Sequence, residues 1–264
     1  VAETAIPRTV RPHGPGGAEG PDGHDPRAAS VWRLRARGCW DEAAELLAPA
    51  AGRDHGAALL RTEVLVERCL FTSEGWERAE EALRAAESLP LDDEERGAAA
   101  CGRGYLAYAA TRLKVRDRAD EARAALGRAA ALLDPAGPWR ARLDFRRGLM
   151  AEHVGGSPQA AEAAYRRAHV AALAGGDLLL ASYTWRHLGG LALRNGELAE
   201  ARHSFAESLR LREQTGFLVG LAPALTALAE TLPEPEAQRL REEAGRLFRT
   251  LGNVPHWLAP ALAA

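Results

Sequence analysis

The sequence predicts an all-α protein, a right-handed superhelical solenoid of about six antiparallel helix pairs. Three observations predict it. An Ala-x-x-x-large-x-x-small pattern recurs five times, as Ala43/Leu47/Ala50, Ala79/Leu83/Ala86, Ala122/Leu126/Ala129, Ala161/Tyr165/Ala168 and Ala201/Phe205/Ser208. Residues that start and stop helices fall between the copies. No segment alternates as a strand does, and isoleucine occurs once, as Ile6. From Ala43 to Ala79, Ala122, Ala161 and Ala201 the steps are 36, 43, 39 and 40 residues. These steps suit two helices and two turns per repeat, with helices of slightly varying length.

The elements follow in order. Residues 1–24 are rich in Pro and Gly, cannot build a core, and read as a disordered tail; residues 25–264 read as the helical-repeat domain. Asp25-Pro26 is an N-cap followed by Pro at the first helical position. It opens a pair at 26–37 and 41–51. The second pair is expected at 54–72 and 75–88, ending at Pro90. Four carboxylates from Asp92 to Glu95 suit the positive end of a helix dipole. They open the third pair, 92–113 and 117–133, which Pro135 closes. Ser157-Pro158 and Asp177 open further helices, giving pairs at 138–154 with 158–174 and 177–195 with 198–215. A last pair is expected at 217–231 and 235–251.

The run Trp185-Arg186-His187-Leu188-Gly189-Gly190-Leu191-Ala192, then Gly196-Glu197-Leu198, then Ala201 to Phe205, resembles a tetratricopeptide repeat. The spacing has a mechanism. Trp185 and Leu188 lie three apart on one helix face, a glycine permits close approach, and Ala201 and Phe205 insert from the next helix. These four side chains are expected in one contact. Trp40 and Trp76 precede the pattern by three residues in the first two copies, where Leu198 stands in the fifth. The segment from Ser182 to Gly252 is also similar to the C-terminal helical-repeat arm of bacterial LuxR-type and actinobacterial ATP-binding transcriptional regulators. Glu207-Ser-Leu-Arg-Leu-Arg-Glu, the run from Gly220 to Glu230 and the run from Ala244 to Gly252 carry that likeness. It implies a stand-alone arm or a piece of a larger regulator, because the phosphate-binding loop of the ATPase part is missing from this sequence.

Composition narrows the partners. The net charge of −2 points to neither nucleic acid nor an anionic membrane surface. One lysine, Lys114, stands against 33 arginines, and Met and Ile occur once each. That bias reports a GC-rich, actinobacteria-like genome, so arginine abundance is not in itself a phosphate-binding signal. Val1 fits a GTG start codon read literally, a trimmed chain or a piece of a longer one. No run approaches the roughly 18 apolar residues of a membrane span. Nothing at the N-terminus resembles a signal peptide. Cys39, Cys69 and Cys101 are odd in number and far apart, which suits small reduced thiols. A cytoplasmic location is expected.

A search for chemistry finds no phosphate-binding loop, no Gly-x-Ser-x-Gly and no His-Glu-x-x-His. Carboxylates such as Glu42/Glu45 and Glu77/Glu80/Glu81 are expected on solvated helix faces. His187 and His203 share a repeat, but spacing places no third ligand beside them. No metal, cofactor or catalytic residue is therefore expected, and the chain is read as a non-enzyme.

In a repeat superhelix the first helices of the pairs line the concave side. Setting Ala161 and Ala201 equivalent places Arg146 and Arg186 at one groove position. Tyr183, Met150, His153 and Arg194 lie along the same helices, and Arg61 and Arg68 extend the row. A guanidinium row beside Tyr and Met suits an acidic peptide, because Arg grips carboxylates bidentately. The expected function is a regulatory protein-interaction scaffold that takes a peptide or protein segment in this groove. The alternative is a signal-sensing component of a LuxR-type regulator that binds a small molecule or peptide.

Overall fold

The structure is a computed structural model that describes residues 26–252 and Leu258. The tail expected over 1–24 and the Asp25 cap lie outside the described residues. Among those residues there are twelve α-helices and no strand: α1 (Pro26–Ala36), α2 (Trp40–Ala51), α3 (His55–Thr72), α4 (Trp76–Glu87), α5 (Asp93–Arg112) and α6 (Ala119–Leu132) form the first half. The second half holds α7 (Arg140–His153), α8 (Pro158–Ala174), α9 (Leu178–Arg194), α10 (Leu198–Thr215), α11 (Leu221–Ala229) and α12 (Glu236–Leu251).

Local chemistry explains the starts. Asp54 and Asp177 accept hydrogen bonds from Ala57 N and Leu180 N at their helix N-termini. Asp92 and Glu95 form a reciprocal capping box. Pro158 takes the first position of α8. The last pair departs from expectation. A 3-10 turn, Leu218–Gly220, stands where α11 was expected to begin, and α11 starts at Leu221. Pro223 has no N–H to offer the carbonyl of Val219, so an α-helix drawn through this segment from 217 would lack that bond.

Each helix packs on its neighbours in sequence, and α3 also touches α5, which touches α7. The arrangement is helical-repeat-like. The repeated pattern is its core. Ala43, Ala79, Ala122, Ala161 and Ala201 have no exposed surface, and the large residue four positions on is buried in every copy. An alanine methyl at the crossing lets two helix axes approach, and the larger side chain fills the space one turn away. Of the trailing small residues only Ala50 is not fully buried.

The contact expected between Trp185, Leu188, Ala201 and Phe205 divides in two. Phe205 and Ala201 share a core with Ala192 and Ala227. Leu188 belongs to the main core, and half-buried Trp185 lies on its edge. The ring of Trp185 meets His169 on α8, 4.4 Å away, whereas Phe205 packs on Gly189 one turn later. A Cβ on Gly189 would fall 2.7 Å from that ring, so glycine is what permits the approach.

One long-range contact joins the two ends of the α1–α10 run. Trp32 of α1 donates its indole N–H to the carbonyl of Thr215 at 3.1 Å and stacks on Phe217. Leu179, Phe217 and Val219 accordingly share a core with residues of α1 to α4.

Candidate functional site

Two sets of charged side chains centre on α3, α7 and α9. The first is a closed cluster. Arg35 of α1 pairs with Glu67 of α3 at 2.7 Å, and Trp40 Nε1 donates to the other oxygen of Glu67. Arg146 of α7 pairs with Glu63 of α3 at 2.5 Å and donates to Cys101 Sγ at 3.2 Å. Arg142 pairs with Asp177 at 2.8 Å and lies 3.8 Å from Glu63. Three guanidiniums thus meet three carboxylates. Burial works against the charge on Glu63, but the cations Arg142, Arg146 and Arg35 outweigh it and hold its pKa down at about 2. The cluster surrounds a cavity of about 50 Å³, room for a few waters and not for a peptide.

This cluster uses up much of the expected groove. Arg146 and Met150 are buried, at 5% and 7% exposure, so neither presents itself to an extended ligand. Tyr183 lies inward between Phe145 and Phe217, with Arg212 over its ring. Arg61 donates to the carbonyl of Ala44, and Arg68 pairs with Asp41 at 3.0 Å. Both tie α3 to α2 and do not extend a row toward Arg186. Glu80 also departs from the solvated role expected for it: it pairs with Arg103 and Arg118, joining α4, α5 and the start of α6.

The second set lies on α9. Arg186, Gly190 and Arg194 are four apart and share one helix face. The Cβ position of Gly190 is 3.3 Å from Arg186 Nη1 and 3.7 Å from Arg194 Nη1, so two guanidiniums converge over a residue without a side chain. Arg186 is half-buried, with the ring of Phe205 5.1 Å from its guanidinium. Among the described residues it has no carboxylate within ion-pair distance. Burial lowers its pKa, Glu230 and Glu152 only partly oppose this, and Arg194 adds to the lowering. Arg212, on α10, is fully buried. It donates to the carbonyl of Gly220 at 2.6 Å while its Nε has no partner, and burial pulls its pKa down to about 10. Arg186 and Arg212 thus lack a carboxylate within ion-pair distance among the described residues.

Beside Arg194 is a group that sequence spacing does not place together. Glu152 at the end of α7 accepts from Arg194 at 2.5 Å and from the hydroxyl of Tyr165 at 2.7 Å, and it meets His187 Nδ1 at 2.8 Å. His153 Nε2 is 3.5 Å from the same carboxylate. Burial lowers the pKa of both imidazoles, that of His153 to about 4, which leaves them neutral near pH 7. Burial opposes the charge on Glu152, and its hydrogen bonds with His187 and Tyr165 outweigh that and keep it ionised. His203 is elsewhere, edge-on to Trp185, so the two histidines of that repeat do not converge. An open hollow of about 350 Å³ is lined by Glu152, His153, Gly156, Pro158 and Arg194. The clue in the sequence was the Glu152-His153 dipeptide at a helix end. Its partner His187 lies 35 residues from Glu152, a distance that no local motif bridges.

No family model matches the chain, and no curated protein matches it. Among solved structures it is similar to the crystal structure of BtubC (BKLC) from P. vanneervenii. The two share 16% identity and superpose with a TM-score of 0.53, over 84% of this chain and 92% of that one. At that identity the likeness speaks for the helical fold alone. No helix among the described residues is long and apolar enough to cross a membrane.

Proposed function

We propose that this chain is a tetratricopeptide-like superhelical scaffold that binds an acidic protein segment through Arg186 and Arg194. The observation that carries the reading is Arg186. Among the described residues its half-buried guanidinium has no carboxylate within ion-pair distance, Glu230 and Glu152 offset its charge only in part, and an anionic ligand would supply the rest. Arg194, which shares Glu152 with the neighbouring group, converges with Arg186 over buried Gly190 and supplies the second cation. The inner cluster around Arg146 has its own carboxylates and serves folding in this reading.

The test is fluorescence anisotropy with a labelled Glu-rich peptide and its Gln-rich counterpart. The Glu-rich peptide binds more tightly, and its affinity falls as salt rises because exposed charge is screened over about 8 Å at physiological ionic strength. Arg186→Ala with Arg194→Ala weakens it tenfold or more. Equal affinity for both peptides, or no effect of the double substitution, overturns the reading. The hollow beside Arg194 favours the alternative of a signal-sensing regulator component. Its volume falls in the roughly 300–1,000 Å³ range of small-molecule sites.

A further inference from the structure

We infer that Glu152, His153 and His187 form a binding site for a divalent transition-metal ion of the zinc class. One ligand atom from each lies within 4.8 Å of the others. Around tetrahedral zinc, with bonds of about 2.0–2.2 Å, neighbouring ligand atoms are roughly 3.4 Å apart. The 3.5 Å between His153 Nε2 and Glu152 matches that spacing. The 2.8 Å between His187 Nδ1 and Glu152 is a hydrogen bond that opens by about half an ångström as the ion replaces the proton. Two imidazole nitrogens and one carboxylate oxygen suit zinc and its neighbours, whereas magnesium and calcium favour oxygen alone.

The surroundings are those of a held site. Tyr165 and Arg194 both bond Glu152 and fix the carboxylate, as outer groups do around metal ligands. His187 is stacked on Tyr165 at 4.9 Å and meets the edge of Phe145. His153 lies against Tyr108 and makes no hydrogen bond with a described residue, so its ligating nitrogen is available. The open hollow begins at Glu152 and His153 and gives an ion both a route in and a fourth coordination position. Arg194 stands at that opening, so an anion on the fourth position would meet metal and guanidinium together. The cation Arg194 also weakens the site, and the ion is expected to exchange with chelators. The inference does not rest on the peptide reading, because Arg186→Ala leaves all three ligands in place.

The test uses the full chain, stripped with EDTA and titrated with zinc ion alone by calorimetry, then with cobalt(II) read by visible absorption. One ion per chain is expected, with cobalt bands of nitrogen and oxygen ligation and no thiolate charge-transfer band. His153→Ala, checked by circular dichroism to keep the helicity of the stripped protein, weakens zinc binding tenfold or more, and Glu152→Gln does the same. His203→Ala leaves it unchanged. Absence of stoichiometric binding, a thiolate band, or binding that survives His153→Ala overturns the site.

Discussion

Arg146 and Arg186 stand equally far before Ala161 and Ala201, yet the glycine under the large ring comes two residues after Arg146 and three after Arg186, and their surroundings differ completely. On the α7 wall, Arg146 meets Glu63 and Cys101 and is buried. On α9, Arg186 has Phe205 beneath it and, among the described residues, no carboxylate within ion-pair distance. A distant helix therefore decides what surrounds a guanidinium, and spacing along the chain does not. The first arginine is part of the fold's internal balance; the second has no carboxylate within ion-pair distance among the described residues.

The largest effect is expected where the α9 wall is held by an apolar ring. Phe205→Ala removes a fully buried side chain from the contact with Gly189 and should cost about 3–5 kcal/mol, measured by chemical denaturation. A loss much below that range would mean that α9 and α10 are held by something other than this ring.

On the α7 wall, charge should carry the comparable role. Arg146→Ala removes the closest cation of Glu63 and leaves Arg142 and Arg35 farther off, and is expected to cost about 3 kcal/mol. Its pH signature separates it from a packing loss. The folded pKa of Glu63, about 2, lies below its ordinary value of 4.5. The stability this carboxylate contributes is whole above about pH 4.5 and is lost as pH falls toward 2. Wild type should therefore lose stability over that interval more steeply than Arg146→Ala. Parallel curves would remove the ion-pair account.

The smallest expected effect has the opposite sign. Arg186→Met keeps the apolar contact with Phe205 and removes an unbalanced charge, so stability should rise by about 0–1 kcal/mol. A clear loss in thermal or urea unfolding would show that Arg186 has an internal role like that of Arg146, and the two walls would no longer differ.

How far each feature was legible follows from its range along the chain. The five leading alanines and the helix starts at Asp92 and Asp177 depend on neighbours within a few positions, and spacing reveals them. The helix limits are read to within two or three residues except at α11, where Pro223 intervenes. The fate of Arg146 depends on Glu63, 83 residues away, and no periodicity links the two. The Glu152 group is hidden in the same way. The late position of Phe205, over Gly189 rather than under Trp185, depends on which of two turns the ring selects, and the Trp-x-x-Leu-Gly spacing admits both.

The contact of Trp32 with Thr215 and Phe217 has a consequence for how the protein is made. Its two sides are 183 residues apart, so α1 leaves the ribosome long before its partner exists. At about 5–20 residues per second, translation takes on the order of 10–40 s to supply Phe217. Through that interval the earlier helices can fold pair by pair, since their contacts are local, while the face of Trp32 stays uncovered. The nascent chain thus carries an apolar surface throughout that interval, and a ribosome-bound chain stopped before residue 215 should be more prone to chaperone capture than one stopped after the 3-10 turn has emerged.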